Sequence, residues 1–155
     1  MNWKKPAAAT WELGWPEKGL TMMQAKSKII HIIPYDDSRG SLKKVLMQSQ
    51  LERGSIEEVY LIYTLRGGVR GNHYHQITLE YFTVVSGRAV IALKDLSTGM
   101  RQELEVSAED NKVIKVPPGT AHAFKNETEE PLVILAVSTR EYDQRDPDTF
   151  ALNIL

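Results

Sequence analysis

The sequence predicts an all-β domain of the sandwich or barrel class. Short runs rich in Val, Ile, Leu and Tyr recur along the chain, and turn-forming residues close each of them. A long stretch with the 3.6-residue period of an amphipathic helix is not found. Many short strands with close turns are typical of a β-sandwich or β-barrel, and two histidine motifs lie among these strands.

Ten strands follow from these runs in chain order. They cover residues 28–33, 42–48, 58–65, 71–75, 81–86, 89–96, 102–106, 112–116, 121–126 and 132–137. The connections 36–40, 66–68, 97–99, 107–111 and 127–131 are rich in residues that accept turn geometry. We therefore expect short loops between the strands.

Length and charge limit the function classes. The 155 residues suit one domain, and 19 basic against 20 acidic residues give a net charge of -1, which does not attract nucleic acid or anionic membranes. The absence of cysteine excludes disulfides, thiolate ligands and a cysteine nucleophile. Without a secretory leader or an apolar run of about 20 residues, we expect a cytoplasmic protein with no nucleic-acid or membrane partner.

The N-terminal segment differs from the rest of the chain. All three tryptophans and two of the seven prolines fall within residues 1–25, which show no helix or strand period. We predict an irregular arm there, followed by a single domain over residues 26–155. Because dimer interfaces favour aromatic residues, the arm either lies across the second subunit of a homodimer or is a flexible leader, with Met22 or Met23 as the natural start.

Three of the four histidines lie in two spaced motifs. These read Gly67-x5-His73-x-His75-x4-Glu80-x6-Gly87 and Pro117-x-Gly119-x2-His122-x3-Asn126. Side chains alternate along a strand, so His73 and His75 face the same way, with backbones about 6.6 Å apart. Two imidazoles at that spacing can bind one ion through bonds of about 2.0–2.1 Å.

Glu80 and His122 would complete a metal site. Glu80 has the wrong parity for a continued strand, so the chain must turn within residues 76–79, which contain neither glycine nor proline. His122 comes from a distant strand. We predict a divalent metal bound by His73, His75, Glu80 and His122. The alternative of ordinary hydrogen-bonded histidines suits the isolated His31 better than this group.

The two motifs resemble the paired signature of the cupin superfamily across roughly residues 28–137. Asn111 stands where the second motif usually opens with glycine, and asparagine also tolerates left-handed turn geometry. The resemblance implies a double-stranded β-helix, or jelly-roll barrel, with the ligands pointing inward.

A narrower resemblance is to nucleotide-sugar cupins. Arg70-Gly71-Asn72-His73-Tyr74-His75 is similar to the Arg-Gly-x-His-Tyr of dTDP-4-dehydrorhamnose 3,5-epimerases and to the Arg-Gly-Asn-His-x-His of dTDP-sugar 3,4-ketoisomerases. Residues 142–150, with 71–75 and 84–87, resemble the C-terminal cupin domain of bifunctional capsular-polysaccharide epimerase/reductases. That domain is zinc-bound and epimerises a UDP-4-keto-hexosamine, although this chain has Thr78-Leu79-Glu80 in place of the family's Lys-Asn-Glu.

The resemblance implies a sugar epimerase or isomerase acting on a nucleotide-linked 4-keto sugar in polysaccharide biosynthesis. No reductase domain is found in these residues, so we expect at most the epimerase half of the paired reaction. Zinc is the expected ion, and the ligand set also fits iron, nickel or manganese.

Two mechanisms remain open. A bound ion would act as a Lewis acid on the keto oxygen, and Tyr74, Tyr142 or Asp143 would then be the base. Without metal, His73 matches the base of the rhamnose epimerases. That family has glutamine two residues later, where this chain has His75, and this favours metal.

Arg70, Arg39 and Asn72 are the candidate substrate-binding residues. A guanidinium offers a planar fork of donors to a diphosphate. Arg70 faces away from His73 on a regular strand, so it needs a bulge to share the pocket. For Arg70 and Arg39 the alternative is a solvated arginine.

Two other function classes are compatible with the ligand set. One is a metal-dependent dioxygenase, which iron in the same site would permit. The other is a non-catalytic carbohydrate-binding or regulatory cupin, because one fold hosts many functions.

Overall fold

The computed structural model describes residues 26–51 and 55–155, and this part of the chain is almost entirely β-structure. Its strands are β1 (Lys28–His31), β2 (Tyr35–Asp37), β3 (Gly40–Leu42), β4 (Glu58–Thr64), β5 (Val69–Tyr74), β6 (Glu80–Ser86), β7 (Arg88–Asp95), β8 (Arg101–Ser107), β9 (Lys112–Val116), β10 (Thr120–Lys125), β11 (Leu132–Ser138) and β12 (Phe150–Ala151). Two 3-10 turns lie at Gln48–Gln50 and Ala108–Asp110.

The strands form two five-stranded antiparallel sheets. The first sheet has the order β1-β9-β6-β11-β4, and the second has the order β12-β5-β10-β7-β8. Strands β2 and β3 form a separate hairpin. The prediction of an all-β jelly-roll is confirmed by this arrangement.

The core lies between the two sheets, because each strand places alternate apolar residues inward. Phe82, Phe124 and Ile134 come from three different strands and are at most 1% exposed. On β11 the outward side chains Val133 and Leu135 are partly exposed, whereas their inward neighbours are fully buried.

The edge strand β4 carries an apolar row on the outer face of the first sheet. Val59, Leu61 and Tyr63 occupy alternate positions and are 56%, 64% and 55% exposed. Their inward neighbours Tyr60 and Ile62 pack against the core. The outer row has no counterpart among the described residues that buries it.

The predicted strand over residues 42–48 is wrong beyond its first residue. Strand β3 ends at Leu42, and a 3-10 turn follows at Gln48–Gln50. The apolar residues Val45 and Leu46 instead pack on the outside of the first sheet, beside Tyr81. Their hydrophobicity serves to cover a sheet face rather than to form a strand within it.

The arm predicted over residues 1–25 lies outside the described residues, so it stays a prediction. Among the described residues, no helix has the length and apolar character needed to cross a membrane.

Candidate metal centre

Four residues from three strands meet at one end of the core. His73 lies on β5 and His75 just beyond it, while Glu80 opens β6 and His122 lies on β10. One ligand atom from each lies within 4.8 Å of the others. The ring of His73 is 4.5 Å from that of His122 and 5.0 Å from that of His75. The structure thus brings together all four residues of the predicted ligand set.

A β-bulge in β5 sets the position of His73. Gly71 and Asn72 both have positive φ, at 84° and 57°. His73 pairs with His122 and Gly71 pairs with Ala123, which leaves Asn72 as the extra residue. A Cβ on Gly71 would lie 2.7 Å from the carbonyl oxygen of His122, so only glycine fits this position without a shift.

This close approach predicts a specific cost for Gly71→Ala. A positive φ alone costs an L-residue roughly 1–2 kcal/mol, and the contact with the His122 carbonyl adds to it. We expect a larger loss of unfolding free energy than for Gly99→Ala, because Gly99 also has a positive φ but no neighbour within 4 Å of the position that an added methyl group would take. Urea unfolding of both variants measures this, and equal losses would contradict the close contact.

The turn between His75 and Glu80 depends on a carboxylate from the far end of the chain. Asp148 accepts hydrogen bonds from the backbone N–H groups of residues 76–78, at 2.8, 3.0 and 2.8 Å, and from the Thr78 hydroxyl at 2.7 Å. These bonds explain how the chain reverses without glycine or proline. They bring Glu80 back until its Oε2 lies 3.0 Å from Nε2 of His75.

Two buried atoms that face each other in the cluster lack hydrogen-bond partners among the described residues. Nε2 of His75 and Oε2 of Glu80 are buried, and their close approach does not have hydrogen-bond geometry. Nε2 of His122 lies 3.5 Å from the same Glu80 oxygen. Unpaired buried polar atoms are costly, and a divalent cation would satisfy them. Imidazole nitrogens with one carboxylate oxygen are a donor set that zinc and other transition metals accept, so the residues fit a metal.

The outer atoms of two ligands are held by neighbours. The hydroxyl of Tyr60 donates to Oε1 of Glu80 at 2.9 Å, which leaves Oε2 facing the histidines. Nδ1 of His75 contacts the backbone carbonyl of Asp148. Sequence reasoning missed Tyr60 and Asp148 because both lie outside the histidine motifs, although Asp148 falls within the segment 142–150 that carries the resemblance.

Burial and neighbouring charges keep two of the histidines neutral. Burial lowers the pKa of His122 to about 3, despite the opposing effect of Glu80. Burial also lowers the pKa of His73, and the adjacent His75 adds to the shift. A neutral imidazole is the form that binds metal.

His75 and Glu80 behave as a coupled pair when no cation is present. Burial lowers the pKa of His75, but the Glu80 carboxylate outweighs it and the net shift is upward. Burial raises the pKa of Glu80, but its contact with His75 and the hydrogen bond from Tyr60 outweigh it and the net shift is downward. Glu80 is therefore ionised at neutral pH and is ready to bind a cation.

Two cavities meet at the cluster. The first has a volume of about 310 Å³, and its wall includes Glu58, Tyr60, Arg140, Tyr142 and Asp143. The second has a volume of about 520 Å³, and its wall includes Tyr60, Tyr63, Arg70, Phe82 and Phe124. His73 lines both, so a ligand in either cavity can reach it.

Three predicted site residues outside the cluster, Arg70, Tyr142 and Asp143, line these cavities. Arg70 pairs with Phe124 while His73 pairs with His122, and these partners lie two positions apart on β10 and so face the same way. The bulge therefore turns Arg70 to the same face as His73, and Arg70 lines the second cavity. Tyr142, which is 60% exposed, lines the first.

Three other predicted site residues line neither cavity. Tyr74 points to the opposite face from His73 and stacks on Phe150, with ring centroids 5.2 Å apart. Arg39 is exposed in the β2–β3 hairpin and pairs with Asp37 at 2.6 Å. The Asn72 side chain accepts hydrogen bonds from the last two backbone N–H groups of the chain, at 2.8 and 3.1 Å. Their roles toward the substrate stay predictions, and none of the three lies on a wall of the two cavities.

Comparison with protein families shows that the chain is similar to proteins of polysaccharide biosynthesis. Residues 35–150 match the family described as the polysaccharide biosynthesis C-terminal domain. A UDP-2-acetamido-2,6-beta-L-arabino-hexul-4-ose reductase of Pseudomonas aeruginosa is 26% identical over 121 residues, which are 77% of this chain and 31% of the reductase. The spore coat polysaccharide biosynthesis protein SpsL of Bacillus subtilis is 23% identical over 126 residues, which are 78% of this chain and 83% of SpsL.

Solved structures show the same fold. The capsular polysaccharide assembling protein CapF of Staphylococcus aureus aligns with a TM-score of 0.61 and 26% identity, over 79% of this chain and 34% of CapF. The 3,5-epimerase RmlC of Legionella pneumophila aligns with a TM-score of 0.73 and 20% identity, over 83% of this chain and 73% of that one. The likeness to RmlC shows a shared cupin fold. The chain spans about a third of the length of the reductase and of CapF.

Proposed function

The chain belongs to the family of polysaccharide biosynthesis C-terminal domains, and from this premise we propose that it is a metal-binding epimerase or isomerase of a nucleotide-linked 4-keto sugar. The observation that carries the proposal is the convergence of His73, His75, Glu80 and His122 at the meeting point of two cavities. Zinc is the proposed ion, since the donors are three imidazoles and one carboxylate.

Epimerisation beside a ketone requires removal of a proton and its return to the other face of the sugar. An ion bound by the cluster would supply a Lewis acid where negative charge develops on the keto oxygen. Other contacts orient the proposed ligands and keep two of the histidines in the neutral form that binds metal. Tyr60 holds one oxygen of Glu80 so that the other faces inward, and the buried His73 and His122 stay neutral.

The proton must move through another group when all four cluster residues bind the ion. Tyr142 lines the first cavity together with His73, and we assign it the proton transfer. Asp143 lines the same cavity but accepts hydrogen bonds from Arg145, at 2.8 Å from its backbone N–H and 3.3 Å from its Nε. Tyr142 is therefore the better placed of the two.

Arg70 is the proposed contact for the diphosphate. It faces the second cavity beside His73, and no carboxylate of the described residues lines that cavity. The first cavity, by contrast, is lined by Glu58, Glu141 and Asp143, which repel a diphosphate. The nucleotide is thus expected on the Arg70 side.

Substitution of Arg70 tests this placement. Hydrogen bonds to charged groups contribute roughly 1.5–3 kcal/mol, so Arg70→Ala should raise the KM for the nucleotide sugar by about 10- to 100-fold. Arg70→Lys keeps the charge but loses the planar fork, and it should give an intermediate KM. Steady-state kinetics measure both. An unchanged KM in Arg70→Ala would show that Arg70 does not bind the diphosphate.

The proposed activity is tested by hydrogen exchange. The zinc-loaded protein is incubated in deuterium oxide with UDP- and dTDP-linked 4-keto sugars, and mass spectrometry follows deuterium at the carbon beside the ketone. Incorporation is expected with at least one sugar, and Tyr142→Phe should slow it. No incorporation with any sugar, together with oxygen uptake by the iron-loaded protein, would favour the dioxygenase alternative.

We also propose that the protein is a homodimer that buries the apolar row of Val59, Leu61 and Tyr63 on β4. Three large apolar side chains more than half exposed on one edge strand favour a protein partner over water. Light scattering after size exclusion should give the mass of a dimer, and Leu61→Lys should give a monomer. A chain that starts at Met22 tests the arm, whose deletion should weaken the dimer. A dimer unaffected by both changes would contradict this interface.

A further inference from the structure

The C-terminal segment, residues 148–155, runs along the free edge of the strand that carries His73. Phe150 and Ala151 of β12 pair with Tyr74 and His73. The backbone N–H of Leu152 donates to the carbonyl of Asn72 at 2.7 Å. The segment therefore adds a strand beside the bulge, although it is about 75 residues away in sequence.

Asp148 opens this segment and contacts the ligand cluster in two ways. Its carboxylate accepts the three backbone N–H groups of residues 76–78, which join His75 to Glu80. Its backbone carbonyl contacts Nδ1 of His75. Asp148 thus contacts the ring of His75 and also binds the turn that brings Glu80 back to the cluster.

The contact between Nδ1 and the carbonyl decides which nitrogen of His75 faces the cluster. A carbonyl oxygen only accepts hydrogen bonds, so Nδ1 of His75 carries the proton. Nε2 is left with its lone pair, and it is the atom that lies 3.0 Å from Oε2 of Glu80. This is the tautomer that a metal ligand requires.

Asp148 holds the first three residues of the turn, while Thr139 holds the fourth by accepting a hydrogen bond from the backbone N–H of Leu79 at 3.0 Å. Residues 76–79 contain neither glycine nor proline, and each of the first three backbone N–H groups is bound by Asp148. Without the carboxylate, these three donors lose their partner, and the path of the chain from His75 to Leu79 is less tightly fixed.

We propose that Asp148 is a positioning residue of the metal centre. It orients the ring of His75 so that Nε2 faces the ion, and it helps to fix the turn that brings Glu80 to the same ion. The proposal rests on metal binding by the proposed function, but it does not depend on the sugar. Its prediction concerns metal affinity and ligand geometry, which are measured without substrate.

The test compares three variants of the full chain. Loss of a group that orients a ligand costs typically about 10- to 100-fold in metal affinity, and Asp148→Ala should weaken zinc binding by that factor in a chelator competition at neutral pH. Asp148→Asn keeps one acceptor oxygen and should fall between Ala and the parent protein. Asp146→Ala is the matched control, because Asp146 lies two residues before Asp148 but its carboxylate pairs with Arg140 at 2.6 Å.

A spectroscopic readout separates positioning from general loss of structure. The visible absorption of the cobalt-substituted protein reports the ligand geometry, and it should change in Asp148→Ala and stay unchanged in Asp146→Ala. Circular dichroism confirms that each variant is folded, and Asp148→Asn carries the test if Asp148→Ala does not fold.

The outcomes separate this inference from the proposed function. Parental zinc affinity and an unchanged cobalt spectrum in the folded Asp148 variants would overturn the inference alone. A parent protein that binds zinc tightly but exchanges no deuterium would overturn the proposed activity and leave the inference standing. A parent protein that binds neither ion would overturn both.

Discussion

Glu80→Gln is expected to weaken zinc binding by more than about 100-fold, which exceeds the usual effect of losing a residue that only orients a ligand. Glu80 supplies the one anionic donor of the cluster, and its side chain is almost completely buried. Glutamine keeps the shape and the acceptor for the Tyr60 hydroxyl, but it removes the charge that attracts the cation. Zinc content and chelator competition measure the loss.

Glu58→Gln is the matched control for this substitution. Glu58 lines the same cavity as the cluster but is not one of its four ligands. Its carboxylate accepts a hydrogen bond from the backbone N–H of Tyr142 at 3.2 Å, which an amide oxygen can also do. Zinc affinity should therefore be close to that of the parent protein. Equal affinities in Glu80→Gln and Glu58→Gln would show that the cluster does not bind the ion.

The largest expected loss of stability comes from Phe124→Ala. Phe124 is fully buried, and its ring lies 4.7 Å from Phe82 and 5.6 Å from His122. Its removal leaves a cavity beside His122, and such truncations cost about 3–5 kcal/mol of unfolding free energy. Urea unfolding of the metal-free protein measures this cost.

Phe150→Ala gives the comparison at an exposed position. Phe150 is 37% exposed and lies on the two-residue strand β12, where it stacks on Tyr74. We expect its loss to be less than roughly half of that for Phe124→Ala, because less apolar area leaves water on folding. Equal costs at the two positions would contradict the assignment of Phe124 to the core.

The sequence carried enough information for the fold class and for part of the cluster. Side chains alternate along a strand, so His73 and His75 can be predicted to share a face without knowledge of how the chain folds. Glu80 and His122 required more than alternation, since a turn within residues 76–79 had to return Glu80 and a distant strand had to bring His122 beside the first.

The remaining features depend on contacts that a linear pattern does not show. The bulge at Gly71 and Asn72 inserts one residue and turns Arg70 toward His73, whereas a regular strand would turn it away. The turn before Glu80 depends on Asp148, about 70 residues later. Val45 and Leu46 have a composition typical of a strand, but they cover the face of a sheet instead.

The same long-range contacts explain why two predicted site residues, Asn72 and Tyr74, line neither cavity. Asn72 and Tyr74 flank His73 in the sequence and share the motif that carries the resemblance. The C-terminal segment binds both of them, Asn72 through its amide and Tyr74 through Phe150. Nothing in the motif predicts where that segment lies.

Metal dependence of deuterium exchange tests the central claim most directly. The protein is stripped with a chelator, divided, and assayed in deuterium oxide with and without added zinc, using a 4-keto sugar that the zinc-loaded protein accepts. We predict exchange beside the ketone in the zinc-loaded sample, little in the stripped sample, and recovery when zinc is restored. Equal exchange rates in the stripped and zinc-loaded samples would contradict the account and would assign the proton transfer to an unligated His73.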